Sequence, residues 1–509
     1  MASGPIDKIV ILGGGTAGWM AAAAIAKAWQ HPARQIVVVE SEEIGTVGVG
    51  EATVPSIHLF NAMLGVDMAE VMRATGATFK LGIEFAGWGG LERRYMHPFS
   101  GFGANPQDRL FPPLWLKYAA QHKSDHLDLY NLNSVAAHAG RFDLARTGHT
   151  SQGWAAEAGP MTYAVHFDAA LYARYLRAYA ERRGVVRIEG KVRAVDQEAE
   201  TGFIRGLMLE SGQRVDGDFF IDCSGFRGLL IGETLKTGYD DWSHWLPCDR
   251  AVAVASENAG PPVPYTRAMA DQAGWRWRIP LQHRAGNGYV YASAYLDDDV
   301  AEARLLEGLE GVAIGTPRRL RFTTGRRHQA WKHNCLALGL AAGFLEPLES
   351  TSIHLIQTAI LRLISLFPDK RFEPVEIAEF NRQTRDEYDD IRDFLITHYK
   401  LTDRDDTAFW RYCRDMAVPD RVAETLDLFA AKGRLRARQE HLFSAHSWLA
   451  MLVGQGLLPR GSDPLLDGMP EAQLTDRMNR TRQVLQRAAS AMSSHQAFID
   501  AFCKAPQEP

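Results

Sequence analysis

The glycines near the start of the chain have the spacing of a nucleotide-binding turn. Gly13, Gly15 and Gly18 form a Gly-x-Gly-x-x-Gly pattern, and Glu40 follows about 20 residues further on. The first glycine permits a tight turn, the second lets the backbone approach a pyrophosphate, and the third lets a helix pack closely against a strand. An acidic residue at the later position can bind a ribose hydroxyl. These residues predict a dinucleotide site rather than an ordinary glycine-rich turn.

A pair of tryptophans in the middle of the chain predicts a rigid aromatic wall. Trp275 and Trp277 lie in the run Trp-Arg-Trp-Arg-Ile-Pro, which ends at Pro280. Residues two apart on an extended segment point to the same side, and a proline stiffens the end of such a segment. The two indole rings should therefore lie side by side on one face of a strand.

Two charged residues are candidates for chemistry: a lysine in an apolar segment and a glutamate before a predicted helix. Lys80 lies among mostly apolar neighbours in residues 78–82. Most lysines are solvated, but a buried ammonium would be a strong point donor. Glu349 lies in residues 344–352, just before a predicted helix. Acidic and hydroxyl side chains there can serve simply as helix-entry residues, while the backbone N–H groups of that helix end can also bind an anion.

The elements that must position these residues follow from the hydrophobic pattern. Residues 8–12 and 35–39 predict strands that flank a helix over 16–28, so the glycine turn belongs to a βαβ unit. A later β-meander is expected to return to a parallel sheet. The meander strands are predicted at 185–188, 192–196, 206–210 and 218–222, mixed strands over 245–330, and helices over 166–183, 353–366, 375–399, 407–416, 420–432 and 474–502.

Composition excludes several classes of protein. The chain of 509 residues has a net charge of −5 and no basic tract, which argues against nucleic acid as a partner. Its five cysteines are scattered, with no spacing that suits a metal site or a disulfide framework. No apolar run is long enough to span a membrane, and no signal-peptide pattern precedes the first strand. We therefore predict a cytoplasmic protein without a metal or a membrane partner.

In combination, the glycine fingerprint, the tryptophan run and the Glu-Pro-Leu-Glu-Ser-Thr segment over 346–351 resemble the flavin-dependent halogenases of the tryptophan/indole type. The resemblance implies an α/β fold of the FAD-binding monooxygenase type, with a Rossmann-type βαβ unit, a β-meander and a mainly helical C-terminal substrate lobe. The implied domains are a core over 1–350, with an inserted mixed-strand region at about 85–165 and 245–330, and a helical lobe over 351–509 that packs on the core.

The resemblance also implies roles for individual residues. Lys80 and Glu349 match the catalytic pair of the family, and the backbone N–H groups of Thr351 and Ser352 match its halide site. Many relatives have glycine where this chain has Ser352. The residues implied to line the substrate pocket are His97, Phe99 and Trp448, and those implied to separate flavin from substrate are Trp275 and Trp277.

A flavin site is implied by several further segments. A loop with Gly45, Gly48 and Gly50 resembles the segment beside the isoalloxazine ring. Leu340 stands where aromatic hydroxylases carry the aspartate of a Gly-Asp-Ala motif, which favours a halogenase. Asp222 is either a flavin contact or a turn-forming residue at a strand end. The implied FAD contacts are Gly13, Gly15, Thr16, Ala17, Gly18, Glu40, Gly50, Ala52, Val192, Asp222, Leu340 and Ile353.

The implied reaction uses FADH2, O2 and chloride or bromide. Hypohalous acid would pass the tryptophan wall to Lys80, where an aromatic ring attacks the halogen. No second glycine fingerprint is present for a nicotinamide cofactor, so the implied partner is a separate flavin reductase. Two alternatives stay open: a flavin-dependent aromatic hydroxylase and a non-catalytic FAD-binding protein. The halide, the regiochemistry and the oligomeric state, with a homodimer as one option, also stay open.

The expected substrate is a small indolic aromatic, indole before free tryptophan. Tryptophan-specific members of the family close over the amino-acid backbone of the substrate with a Tyr-Tyr pair, a glutamate and a Phe-Trp pair. This chain has Arg436-Ala437, Phe443 and Ser447-Trp448 at the corresponding places. The partners for a substrate carboxylate and ammonium are therefore missing, while an aromatic stacking residue is kept.

Overall fold

The N-terminal part of the chain forms the predicted βαβ unit. Strand β1 (Lys8–Leu12), helix α1 (Thr16–Ala28) and strand β2 (Gln35–Glu40) follow one another, and β1 pairs in parallel with β2. Their bounds agree with the prediction to within one residue. The computed structural model describes residues 4–30, 33–43, 50–105, 108, 110–122, 126–144, 158–159, 161–436 and 442–506.

Two glycines of the fingerprint make the close contacts expected of them. Gly13 has a φ of +110°, and a Cβ added there would lie 2.3 Å from the carbonyl oxygen of Cys223. A Cβ on Gly18 would lie 1.8 Å from the carbonyl oxygen of Gly13, so only glycine lets α1 approach the end of β1. The turn between strand and helix is thus free of side chains at these two points.

The β-meander and the return to the parallel sheet are present. Strands β9 (Val192–Gln197), β10 (Ile204–Leu209) and β11 (Arg214–Asp216) form an antiparallel sheet, and β12 (Phe219–Asp222) pairs in parallel with β1. This sheet of six strands has the order β20–β21–β12–β1–β2–β8, with β8 at Val186–Glu189, β20 at Trp331–Lys332 and β21 at Cys335–Ala337.

A mixed sheet of seven strands carries the tryptophan run. Strand β16 (Gly274–Pro280) lies near its centre and pairs antiparallel with a neighbour on each side. The predicted mixed-strand region over 245–330 is therefore joined in one sheet to strands that precede residue 100. The order is β18–β14–β17–β16–β15–β5–β6, with β5 at Gly82–Ala86, β6 at Arg94–Pro98, β14 at Arg250–Ser256, β15 at Thr266–Asp271, β17 at Ala285–Tyr291 and β18 at Ala313–Arg321.

Two small sheets complete the described strands. Strand β7 (Ala164–Asp168) lies between β3 (Gly50–Ala52) and β4 (Thr78–Lys80) and pairs antiparallel with both. The second sheet joins β13 (Tyr239–Asp241), β19 (Gly325–Arg327) and β22 (Gly343–Phe344).

The C-terminal part of the chain is mainly helical, as predicted. Within the described residues no helix has the length and apolarity needed to cross a bilayer. The helices after α1 are α2 (Ser56–Leu64), α3 (Met68–Thr75), α4 (Phe111–Gln121), α5 (Leu132–His138), α6 (Ala169–Glu181), α7 (Asp298–Glu307), α8 (Ser352–Ser365), α9 (Pro374–Lys400), α10 (Ala408–Asp415), α11 (Asp420–Lys432), α12 (Ala445–Gly454), α13 (Glu471–Ser490) and α14 (His495–Phe502).

Two predicted helices are corrected by the structure. The segment 166–183 begins as strand β7, because its first residues pair with β3 and β4, and Asp168 then caps α6 by accepting from the N–H groups of Ala170 and Leu171. The segment 474–502 is two helices, because Ser494 caps a new helix by accepting from the N–H of Ala497. The sequence pattern also missed α12.

Candidate active site

Lys80 is a buried amine at the end of β4. Strand pairing turns its side chain inward, where it is fully buried. Its Nζ donates to the carbonyl oxygen of Thr53 at 2.9 Å and to Oγ of Ser350 at 2.8 Å, and lies 5.1 Å from the ring centre of Phe99. Burial lowers the pKa of Lys80 to about 7, against the opposing effect of the Glu349 charge. The amine is therefore close to the balance between its charged and neutral forms at neutral pH.

Glu349 is a buried carboxylate held by two histidines. It ends a short 3-10 turn over Pro347–Glu349 and is 2% exposed. Its Oε2 contacts Nδ1 of His97 at 2.8 Å, and its Oε1 lies 3.0 Å from Nε2 of His398 on α9. Burial alone would raise the pKa of Glu349, but the two histidines outweigh it and lower that pKa to about 2. Glu349 is therefore ionised throughout the neutral range.

The start of helix α8 offers backbone donors beside this pair. Ser350 adopts a left-handed conformation with φ of 60°, and the chain then enters α8 with Thr351 at the N-cap. The Thr351 side chain does not cap the helix, and within the described part of the chain its buried Oγ1 has no hydrogen-bond partner. The first N–H groups of a helix lack partners inside the helix, so those at Thr351 and Ser352 can meet an anion.

The two tryptophans of β16 form the predicted wall. Trp275 and Trp277 are buried, with ring centres 6.0 Å apart. Gly288, which faces Trp277 on strand β17, makes room for one ring, since a Cβ there would lie 2.0 Å from the indole. Strand alternation thus places both rings on one side, as the spacing predicted.

Aromatic side chains gather around His97. Phe394 of α9 lies face to face with Phe443, with ring centres 3.9 Å apart, and edge-on to Trp448 at 5.0 Å. His97 packs beside this group, 5.6 Å from Phe394. The structure therefore brings together the predicted pocket residues His97 and Trp448, while Phe99 lies nearby against Lys80. The rings that pack against His97 are aromatic, and its polar contact is with the carboxylate of Glu349.

The positions predicted to correspond to the amino-acid clamp of tryptophan-specific relatives carry no unpaired Arg, Lys, Asp or Glu side chain among the described residues 434–436 and 442–448. The Arg436 guanidinium is paired with Glu424 at the surface, and Phe443 is buried. Ala437 lies outside the described residues.

The glycine turn and its surroundings suit a nucleotide. A Cβ on Gly14 would lie 1.3 Å from Oε2 of Glu40, so the carboxylate lies directly over the side-chain-free turn. Glu40 also accepts from Nε1 of Trp19 and pairs with Arg187. Gly15 is the N-cap of α1 and is extended, with no side chain between the helix N-terminus and a ligand. The turn therefore fits a pyrophosphate, with Thr16 and Ala17 as the first residues of the helix.

The other predicted flavin contacts lie in several separate elements. Ala52 lies in β3, and Gly50 of that strand packs against Ile279 at the end of the wall strand. Gly339 has a φ of +60°, and a Cβ added there would lie 3.0 Å from Cβ of Ala17. Leu340, the next residue, is therefore close to the start of α1. Ile353 is buried in the first turn of α8. The predicted loop glycines Gly45 and Gly48 lie outside the described residues.

Asp222 has a structural role in the fold. Its Oδ1 accepts from the backbone N–H and the hydroxyl of Ser224, and its Oδ2 accepts from the N–H groups of Leu230 and Ile231. This is the turn-forming function that the sequence left open beside a flavin contact. Val192 begins β9 and pairs with Leu209 of the meander.

The comparisons with known proteins identify the family. A model described as tryptophan halogenase matches residues 8–471 of the chain. The chain belongs to the tryptophan halogenase family. It is 34% identical to the tryptophan 7-halogenase RebH of Lentzea aerocolonigenes, over 92% of this chain and 93% of that protein.

Solved structures agree with this assignment. This halogenase is similar to Xcc4156, a flavin-dependent halogenase from Xanthomonas campestris, with 48% identity and a TM-score of 0.94 over 99% of this chain and 100% of that one. It is also similar to BrvH, a flavin-dependent halogenase from Brevundimonas sp. BAL3, with 45% identity and a TM-score of 0.92 over 98% and 99% of the two chains. The chain is a flavin-dependent halogenase, and neither a hydroxylase nor a non-catalytic protein is favoured.

Sequence reasoning missed several residues of this halogenase site. Ser350 was adjacent to predicted residues, but nothing in its type indicated a contact with Lys80. His398 and Phe394 lie in a helix whose existence was predicted, yet no spacing indicated which of its faces meets Glu349. Glu346 was part of the quoted motif without a role, and it proves to be fully buried.

Proposed function

We propose that this halogenase uses FADH2, O2 and chloride or bromide to halogenate a small indolic aromatic, with indole preferred over free tryptophan. The observation that carries the proposal is the arrangement around Ser350. This residue binds the buried amine of Lys80, follows the buried carboxylate of Glu349 directly, and precedes the open N-terminus of α8. The Lys80 amine as a donor, the Glu349 carboxylate as an acceptor and the backbone N–H groups of the helix end as an anion site therefore lie close to one another.

Reduced flavin, when bound with O2 and halide, supplies hypohalous acid. The chain's own contribution on that side is to bind the nucleotide at the turn of Gly13, Gly15 and Gly18 and to offer halide the N–H groups of Thr351 and Ser352. A separate flavin reductase would provide the reduced cofactor, which is consistent with a single glycine fingerprint in the sequence.

Lys80 delivers the halogen to the substrate. Its Nζ can donate a hydrogen bond to the oxygen of hypohalous acid, which polarises the oxygen–halogen bond. In its neutral form it can instead take the halogen as a haloamine, while the hydroxyl of the acid and one amine proton leave as water. A pKa of about 7 keeps both forms populated at neutral pH. The Thr53 carbonyl and the Ser350 hydroxyl orient the amine in either case.

Glu349 acts on the ring after the halogen is transferred. The ring carbon that bonds to halogen becomes positively charged and must lose its proton. In the route without a haloamine, the hydroxide left from hypohalous acid takes a proton from the Lys80 ammonium and leaves as water. A carboxylate with a pKa of about 2 is a weak base, but the proton on such a cationic ring is acidic enough for it. Because Glu349 is buried, its charge also stabilises the cation strongly.

The substrate preference follows from the aromatic cluster around His97. Free tryptophan would bring a carboxylate and an ammonium toward the group formed by Phe394, Phe443 and Trp448. Losing their hydration without partners would cost on the order of several kcal/mol. Indole needs only aromatic contacts with Trp448, His97 and Phe99. A substrate held without directional partners should react at its most electron-rich carbon, C3.

The deciding experiment is mass spectrometry of the products from indole and from tryptophan, with flavin reductase, NADH, O2 and either chloride or bromide. We expect halogenated indole at C3, a lower kcat/KM with tryptophan, and no halogenated product from Lys80→Ala, although that variant should still consume FADH2 with O2. A matched surface variant, Lys370→Ala, should behave as the wild type. Halogenation by Lys80→Ala, or a clear preference for tryptophan with halogen on the benzo ring, would contradict the proposal.

A further inference from the structure

Glu346 is a buried acid that the reaction as described does not use. It is 0% exposed and lies three positions before Glu349 in the same turn. Its Oε2 accepts from Nε1 of Trp275 at 2.7 Å and from the hydroxyl of Tyr399 at 2.8 Å. Within the described residues no hydrogen-bond partner faces its Oε1. A buried acid costs free energy unless it is paired, so its two donors are the contacts that keep it in place.

The donor Trp275 is one of the two rings of the wall. It is 1% exposed, and its indole N–H is the only polar atom of that ring. Aromatic packing against Trp88 and Trp277 fills the space around the ring but does not specify a direction for the N–H. The bond to Glu346 provides that direction.

The second donor connects Glu346 to the helix that holds Glu349. Tyr399 and His398 are adjacent in α9. His398 lies 3.0 Å from Glu349, and Tyr399 binds Glu346. One turn of α9 therefore positions both acids of the segment over 346–349.

We propose that Glu346 is a positioning residue that fixes the orientation of the Trp275 indole, and so determines how completely the wall separates the flavin side from the substrate side. The inference rests on the proposed function, because it assumes that hypohalous acid must pass this wall to reach Lys80. A misoriented ring would let hypohalous acid escape or react elsewhere. The observable consequence is the amount of halogenated product formed per FADH2 consumed.

The size of the effect follows from the strength of the contact. A hydrogen bond biases a conformational equilibrium by about ten- to a hundredfold when its acceptor is charged and by about two- to tenfold when the acceptor is neutral. Burial raises the pKa of Glu346 to about 7, so both forms of the acid are present at neutral pH. Glu346→Leu removes the acceptor for both donors and should lower the product per FADH2 consumed by about tenfold, with a matching rise in hypohalous acid trapped in solution by monochlorodimedone. Glu346→Gln keeps a carbonyl acceptor of the same shape and should stay within about threefold of the wild type.

Partner and control variants separate positioning from general damage. Trp275→Phe keeps an aromatic ring but loses the N–H. It should therefore also lower the coupling, by which we mean the amount of halogenated product formed per FADH2 consumed. The double variant Glu346→Leu, Trp275→Phe should be no worse than the more severe single variant, because both single variants remove the same Trp275–Glu346 hydrogen bond. Trp331→Phe is the matched control, since Trp331 is also fully buried and donates its N–H to a carbonyl, that of His333, remote from the wall. It should leave coupling unchanged.

The readouts distinguish this inference from the proposed function. FAD affinity and the midpoint of thermal unfolding are measured for every variant. If Glu346 had a purely structural role, its substitution would change these two quantities but not the ratio of trapped hypohalous acid to halogenated product. Unchanged coupling in Glu346→Leu, or losses that multiply in the double variant, would overturn the inference. If Glu346→Leu does not fold, the test rests on Trp275→Phe. Coupling equal to that of the wild type in Trp275→Phe would then overturn the inference. Failure of the wild type to halogenate any indolic compound would instead contradict the proposed function.

Discussion

Ser350 accepts a hydrogen bond from Lys80 at 2.8 Å, although 270 positions separate the two residues in the sequence. The contact depends on a rare conformation, because Ser350 has φ of 60° and is not glycine. It ties the end of strand β4 to the start of helix α8. The amine that we propose to handle the halogen and the helix end that we propose to hold halide are thus fixed relative to each other.

Substitutions of Ser350 can separate two effects of this residue: the strain of its left-handed backbone and the hydrogen bond of its hydroxyl to Lys80. Ser350→Ala and Ser350→Gly both remove the hydroxyl, so both should lower halogenation by about tenfold through loss of one orienting hydrogen bond to a charged group. Glycine adopts the left-handed conformation without a Cβ penalty, so Ser350→Gly should be the more stable of the two by up to about 1 kcal/mol. Product formation and thermal unfolding of the two variants give the comparison. Equal stability would mean that the conformation carries no strain.

The burial of Lys80 should appear in the pH dependence of stability. Its pKa falls from 10.5 in the unfolded chain to about 7 in the folded protein, so between these values the unfolded chain binds more protons. Stability should therefore rise with pH across this window, by no more than about 1.4 kcal/mol per pH unit. Lys80→Met should lack this rise. Urea unfolding of both proteins at pH 7, 8 and 9, without added flavin, measures it, and parallel curves would argue against a buried amine.

Glu349→Gln should lower product formation by about a hundredfold or more, a size typical of a positioned acid–base group. Because the pKa of Glu349 is about 2, this residue does not titrate between pH 5 and 9, so an inflection near pH 7 in the wild-type rate should persist in the variant. The inflection should move to lower pH, because the variant lacks the Glu349 charge that raises the pKa of Lys80. Single-turnover rates over this range, with pre-reduced FAD, measure both quantities. An inflection that disappears with Glu349→Gln would assign the titration to Glu349 instead of Lys80.

The glycine turn can be tested by binding alone. Gly15→Val places a branched side chain at the N-cap of α1, where a pyrophosphate would approach, and should weaken FAD binding by at least about tenfold. Gly260→Ala is the matched control, because no heavy atom lies within 4 Å of a Cβ added there. Titration of FAD by fluorescence compares the three proteins. Wild-type affinity in Gly15→Val would place the flavin elsewhere.

The substrate preference should respond to Phe443. Phe443→Glu introduces a carboxylate where tryptophan-specific relatives have a glutamate, so it should provide a partner for the substrate ammonium. We expect the ratio of kcat/KM for tryptophan to that for indole to rise by about tenfold or more, as a charged pair that replaces uncompensated burial would allow. Phe443→Ala enlarges the pocket without adding charge and serves as the control. A similar rise in both variants would point to space rather than charge as the determinant.

Local patterns were sufficient to predict the elements of the proposed flavin end of the site. The βαβ unit, the meander and the alternation of Trp275 and Trp277 depend on spacing between near neighbours, and each was predicted from it. The same holds for helix α8, whose start follows the hydroxyl-rich segment before it. The physical reason is that turns, caps and the two side-chain periods act over a few residues.

What only the tertiary structure decided is the environment of the charged groups. Nothing near Lys80 in the sequence indicates that Ser350 binds it, and nothing near Glu349 indicates that His398 of a distant helix does. The strand at 164–168 was likewise hidden, because its partners β3 and β4 lie far away in sequence. Burial and opposite charges set the pKa of each group, and both come from segments that meet only when the chain folds.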